Sequence, residues 1–91
     1  MSRARRVRQH TFNGKRYYID IYNPHYASCD PPDSKDPEIT IADGLQYNEK
    51  TLELLIHESL HACNWDKSEE KVTRTAKDIS RFLWRIGYRL T

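Results

Sequence analysis

Two histidines stand four residues apart around a glutamate in the segment LLIHESLHAC, residues 54–63. Residues i and i+4 of a helix project from the same face, so His57 and His61 can present both imidazoles to one metal ion. Glu58 points to the side of that face, where it can reach a water beside the ion without binding the ion itself. The motif therefore predicts a zinc site with Glu58 as general base. The competing interpretation is a pair of core histidines with polar partners in the protein.

A third protein ligand is needed, because open zinc sites usually combine three protein ligands with a water molecule. The candidates that follow the motif are Asp66, Glu69 and Glu70. Extending the apolar spacing of the next helix backwards from Val72 by three residues reaches Glu69, which is therefore expected to face the first helix and bind the metal. Glu70 is expected to meet solvent. The alternative role for Glu69 is in a capping box that begins at Asp66.

The elements that must position these residues follow from local patterns in the chain. Residues 15–22, KRYYIDIY, alternate as a strand does, and Asn13-Gly14 favours a tight turn that pairs this strand with residues 7–12. Residues 23–37 contain all four prolines and are expected to form a loop. Residues 38–45, EITIADGL, predict another strand, at an edge of the sheet.

Two helices are predicted after these strands. Residues 49–63, with Asn48 as N-cap, carry apolar side chains around most of the helix, which is typical of a buried central helix. Residues 69–88 form an amphipathic helix expected to pack on it. The apolar positions of this second helix are Val72, Ala76, Ile79, Leu83 and Ile86. The expected fold class is α+β, with two or three antiparallel strands packed on the motif helix and a C-terminal helix.

Length and composition fit one small domain. The chain has 91 residues, of which 37% are hydrophobic and 31% charged, so its core is expected to be marginal and to gain stability from a bound metal. The two cysteines show no CxxC spacing, and no apolar segment follows the basic N-terminus as in a signal peptide. These features predict a protein of the cytoplasm that does not enter a membrane.

The net charge is only +2, but six basic residues precede Asp20, the first acidic residue. Residues 1–14 are accordingly assigned to a basic N-terminal arm and residues 15–91 to the folded domain. A short basic arm is most often a solvated terminus, and this is the favoured interpretation. The other is that the arm binds phosphates of nucleic acid.

HESLHACNWDKSEEKV following EITIADGL resembles the zincin metallopeptidases, and the His/His/Glu set resembles the gluzincin subgroup, to which thermolysin belongs. The compact form is similar to small phage- and prophage-encoded zincin-like proteins, and more distantly to SprT-like and ImmA/IrrE-like proteases. For a phage-encoded protein, the compartment would be the host cytoplasm. The resemblance covers roughly residues 16–90, and only HExxH and the following glutamate are specific.

The resemblance implies zinc-dependent peptide-bond hydrolysis of a peptide or protein substrate, with Zn²⁺ on His57, His61 and Glu69 and with Glu58 as the catalytic glutamate. It also implies an edge strand that aligns the substrate by backbone pairing. The residues of that strand are Ile39, Thr40, Ile41, Ala42, Asp43 and Gly44.

The chain departs from the family pattern in four ways. The spacing from His61 to Glu69 is shorter than in thermolysin-like enzymes, and Lys67 stands where metzincins have a third histidine. Much of a protease's substrate cleft is absent. No residue is assigned as the oxyanion stabiliser, for which the candidates are His25, Tyr47 and Tyr88.

Two other functions compete with hydrolysis of peptides. One is a zinc-stabilised binding module without turnover that contacts nucleic acid or a host protein, and a fourth protein ligand such as Cys29 would favour it. The other is a different zinc hydrolase such as a deformylase, which is the weaker alternative because the chain has no glycine-rich companion motif.

Overall fold

Asn13 and Gly14 form the tight turn of a β-hairpin in the computed structural model, which describes residues 7–22, 28–42 and 49–88. Both have positive φ angles, 50° and 79°, as the central residues of a type I′ turn require. The turn joins strand β1 (Gln9–Phe12) to strand β2 (Lys15–Tyr22) in antiparallel pairing. The predicted hairpin is confirmed, and β1 lies within the segment assigned to the basic arm.

Within the described residues, the sheet has four strands in the order β1-β2-β4-β3, where β3 is Ser28–Cys29 and β4 is Glu38–Ala42. β3 runs antiparallel to β4, but β2 and β4 are parallel, with Ile19 opposite Ile39. The α+β class is confirmed, whereas the expectation of two or three antiparallel strands is wrong. Residues 23–37 separate β2 from β4, which is long enough for the crossover that parallel pairing needs. β3 lies inside this segment, which the sequence predicted to be a loop throughout.

Helix α1 (Glu49–Cys63) contacts β1 and β3 of the sheet and also the second helix, α2 (Glu69–Arg85). Its Ala62 joins Tyr17 and Ile39 in the hydrophobic core. Tyr17 is fully buried and meets Phe12 edge to face, with 5.8 Å between the ring centroids. α1 therefore links the sheet to α2, and its position fixes where the HESLH motif lies.

The burial of α1 is more limited than its apolar composition predicts. Only Thr51, Glu58 and Ala62 are buried, and the leucines of the helix are half-buried. The prediction of a helix surrounded by core is therefore wrong. A chain of this length has too little surrounding structure to cover every face of a central helix. None of the helices in the described part of the chain combines the length and the apolar character needed to cross a membrane.

Helix α2 begins after Ser68, whose side chain accepts a hydrogen bond of 3.1 Å from the backbone N–H of Lys71. The N-cap is thus Ser68, so the capping box beginning at Asp66 is wrong. Helix α2 ends at Arg85, three residues before the predicted end at residue 88.

Some of the apolar positions predicted for the inner face of α2 are buried, and others are exposed. Val72 and Ala76 are buried as predicted, and Ser80 continues this face at the next i+4 position. Ile79 and Ile86 are instead 38% and 57% exposed, contrary to the prediction that they face α1. Each i+4 step rotates about 40° in one direction around the helix, so the buried face moves from Val72 toward Ser80, whereas the i+3 step from Ala76 to Ile79 rotates about 60° in the opposite direction.

Candidate metal centre

The two motif histidines lie one turn apart on α1 with their rings turned toward each other. Their Nε2 atoms are 3.2 Å apart and their ring centroids 4.8 Å apart. The side chains of His57 and His61 are 18% and 15% exposed, so both rings lie near the surface but are largely covered. The i, i+4 spacing thus brings the two imidazoles together as the sequence predicted.

Glu69 reaches the histidines from the first turn of α2. The chain leaves α1 through a turn in which Lys67 donates a backbone hydrogen bond to Asn64, and Ser68 then starts the new helix. The Glu69 carboxylate places Oε1 2.7 Å from His57 Nε2 and Oε2 2.8 Å from His61 Nε2. One carboxylate therefore bridges both imidazoles.

The other two acidic candidates lie elsewhere. Glu70 is 82% exposed at its side chain and pairs with Arg74 at 3.1 Å, one turn further along the outer surface of α2. Asp66 is exposed in the turn between the helices and is not part of the cluster. The geometry thus separates Glu69 from its neighbours in the way that the apolar spacing of α2 predicted.

These three residues could hold a metal ion. One ligand atom from each of His57, His61 and Glu69 lies within 4.8 Å of the others. Two nitrogens bound tetrahedrally to zinc at about 2.0–2.1 Å would be roughly 3.3 Å apart, close to the 3.2 Å between the two Nε2 atoms. The shorter contacts to Glu69 are hydrogen-bond distances, which suit imidazoles that carry their protons on Nε2. A divalent cation would replace these protons, so its binding would depend on pH.

Glu58 lies beside the cluster but is not part of it. Its side chain is buried, with 8% of the residue exposed, and it lines the same depression as the histidines. Burial raises the pKa of its carboxyl group, the two histidines lower it, and Glu69 raises it. A carboxylate with a raised pKa next to a metal site is suited to accept and return a proton.

The depression around the cluster has three further lining residues, from two places in the chain. Cys29 reaches it from β3, and burial, together with nearby Glu58, raises the pKa of its thiol to about 12. Its Sγ lies 3.6 Å from the backbone carbonyl of Asp30, to which the thiol donates. Trp65 and Lys67 line it from the turn after α1.

Trp65 was missed by the sequence interpretation. Its ring is tilted against His61 with 5.8 Å between the centroids, and 41% of the residue is exposed. The signal for this contact is the i+4 spacing from His61, which continues the spacing of the histidines beyond the end of α1. An exposed aromatic ring is therefore available beside the metal ligands for contact with a bound molecule.

The strand expected to align a substrate is not at the edge of the sheet. β3 pairs with β4 at Ile39 and Thr40, and both of these residues are buried. β4 therefore lies between β2 and β3, and at these positions its backbone is already hydrogen-bonded on both sides. Ile41 and Ala42 pair with β2, whereas Asp43 and Gly44 lie outside the described residues.

The candidates for an oxyanion stabiliser are not brought to the cluster in the part of the chain that is described. Tyr88 is 71% exposed beyond the end of α2 and does not line the depression. His25, Tyr47 and the N-cap candidate Asn48 lie outside the described residues.

Comparisons with known proteins give no relative: no protein-family model matches the chain, and no curated protein or solved structure does so either. Any assignment of function therefore depends on the geometry of the cluster and on the chemistry of its side chains.

Proposed function

We propose that the protein is a zinc-dependent metallopeptidase of the zincin type, with Zn²⁺ held by His57, His61 and Glu69. The observation that carries the proposal is the convergence of these three donors beside a buried glutamate that is not one of them. Two imidazoles and a carboxylate are a common protein ligand set for catalytic zinc, and they leave a position open. When bound, zinc would polarise a peptide carbonyl and lower the pKa of water in its open position to about 7.

Glu58 is the residue that moves the proton in this proposal. Its carboxylate takes a proton from the attacking water and delivers it to the amine nitrogen that leaves when the peptide bond breaks. The raised pKa of the buried carboxyl group supports the first half of this role, because a carboxylate with a raised pKa is a stronger base. His57, His61 and Glu69 are the residues that would hold the ion.

Glu58→Gln tests the proposed role directly. The substitution retains the size of the side chain and its capacity for hydrogen bonds but removes the base. We expect the variant to bind zinc as wild type does and to lose about 10²- to 10⁴-fold in hydrolysis. The control is Glu53→Gln, a matched change on the same helix at a residue outside the depression, which should retain activity.

The assay is digestion of a peptide library and of denatured proteins at matched zinc occupancy, read by mass spectrometry. Cleavage by wild type that chelation abolishes, and that Glu58→Gln loses, is the expected result. Cleavage that Glu58→Gln retains in full would contradict the role of Glu58. A wild type that takes up zinc and cleaves none of the substrates would favour the second candidate.

The second candidate function is a binding module in which the metal is structural, and the position of Cys29 favours it. Cys29 lines the same depression as the three donors, so a shift of β3 could bring its sulfur into the fourth position. A site closed by four protein ligands would have no room for a water molecule. Cys29→Ser separates the two functions: a structural site would lose much of its zinc affinity, whereas the catalytic site would keep it.

A further inference from the structure

The outer surface of α2 carries apolar residues that remain exposed in the described structure. Ile79, Phe82 and Ile86 are 38%, 61% and 57% exposed, and with half-buried Thr75 they form what we call the outer strip. Its residues follow one another at spacings of four, three and four. This is the heptad spacing of a helix that packs lengthwise against another helix.

The outer strip is separate from the face that α2 packs on α1. That inner face consists of Val72, Ala76 and Ser80, which are buried. α2 thus has two adjoining faces suited to packing, of which one is covered by α1. Exposed apolar patches of this kind usually mark a site of association, because leaving them in water is unfavourable.

Charged residues border the outer strip in a self-complementary arrangement. Asp78 and Arg85 lie on the side away from α1, and they line one shallow depression with Arg81, Phe82 and Ile86. They are seven residues apart, so they occupy equivalent positions of the heptad on the same flank. If two copies of α2 pack antiparallel about a two-fold axis, each Asp78 meets the partner's Arg85 and each Arg85 meets the partner's Asp78.

We propose that the outer strip is the interface of a homodimer in which two α2 helices pack antiparallel, with Phe82 near the two-fold axis and Asp78–Arg85 ion pairs along its edge. A second copy fits this surface because each copy presents both an acidic and a basic side chain at the spacing that the other copy needs. Glu69 lies thirteen residues before Phe82, or about 20 Å along the helix, so pairing leaves the metal cluster open. The proposal is independent of whether the cluster binds metal.

Sedimentation equilibrium of the full chain over a range of concentrations tests the interface. Wild type should approach twice the chain mass of 10.8 kDa as its concentration rises. Phe82→Glu should remain at 10.8 kDa with an unchanged circular dichroism spectrum, because it places a charge in the dimer seam at a residue that is exposed in the monomer. Tyr88→Glu, at an exposed aromatic residue beyond the helix, is the control and should still dimerise.

Charge reversal tests the antiparallel orientation without touching the apolar residues. Asp78→Arg and Arg85→Asp should each weaken dimerisation, and the double variant should restore it, because the pairing is then re-formed with the signs exchanged. Failure of the double variant to restore a dimer that both single variants weaken would refute the orientation. A wild type that stays monomeric throughout, or a Phe82→Glu variant that still dimerises, would refute the interface. Phe82-dependent binding of monomeric wild type to phosphatidylserine vesicles would assign the strip to a lipid surface instead.

Discussion

Replacing Glu69 by alanine should weaken zinc binding by at least about 100-fold, because its carboxylate contacts both imidazoles, at 2.7 and 2.8 Å. Outer-shell partners of a metal site already contribute about 10- to 100-fold to affinity, and a direct ligand should contribute no less. The matched control is Glu70→Ala, one residue away. The Glu70 carboxylate is 82% exposed and pairs with Arg74, an arrangement that contributes about 0.3–0.5 kcal/mol.

Two measurements check this prediction. Competition with a chromogenic chelator gives the affinities, and thermal unfolding with and without excess zinc gives the stabilisation. A 100-fold loss of affinity removes about 2.7 kcal/mol of that stabilisation. In a domain of this size, the loss should lower the Tm of the zinc-loaded protein by roughly 10–20 °C. The metal-free Tm should change little, because the Glu69 side chain is 68% exposed. Equal zinc affinities for Glu69→Ala and Glu70→Ala would refute the assignment.

Three further predictions concern the residues that hold the site in place. Ser68→Ala should cost about 1 kcal/mol in chemical denaturation, because it removes the cap that accepts from the Lys71 N–H; an unchanged midpoint would contradict that role. Val72→Ala should cost about 2 kcal/mol, because Val72 is fully buried against α1, and a loss under 0.5 kcal/mol would show that this contact is loose. In the metal-free protein, Cys29 should react with iodoacetamide at pH 8 at least ten-fold more slowly in the folded than in the urea-unfolded state, because the raised pKa of its thiol leaves little thiolate. The rates are measured in a Cys63→Ser background, and equal rates would contradict the burial of Cys29.

The metal cluster could be predicted because it depends mainly on local geometry. The i, i+4 rule brings His57 and His61 together in any intact helix. Glu69 could be selected over Glu70 because the short turn after α1 forces α2 to fold back, and the spacing from Val72 then decides which carboxylate faces inward. These inferences needed only the periodicity of two neighbouring helices.

The strand order could not be predicted in the same way. Whether β4 pairs parallel or antiparallel with β2 depends on the path of residues 23–37, and a proline-rich composition does not determine that path. β3 has only two residues, Ser28 and Cys29, too few to show any alternation in the sequence. Its pairing with β4 is long-range and places Cys29 beside the histidines, so the edge-strand expectation failed together with the topology.

The exposure of Ile79 and Ile86 could not be predicted from the sequence for a related reason. A heptad-like spacing predicts a face suited to packing but does not say which neighbour covers it. α2 carries two such faces, and α1 covers only the one that contains Ala76. Sequence periodicity merged these faces into a single stripe, which the structure resolves into two.

The central claim is most directly tested by anomalous diffraction at the zinc edge from a crystal of the zinc-loaded protein. We predict one ion about 2.0–2.2 Å from His57 Nε2, His61 Nε2 and a carboxylate oxygen of Glu69, with water in the fourth position and Glu58 beside it, unbound. An ion bound without Glu69, a Cys29 sulfur about 2.3 Å from the ion, or no anomalous peak at the cluster would contradict this account of the site.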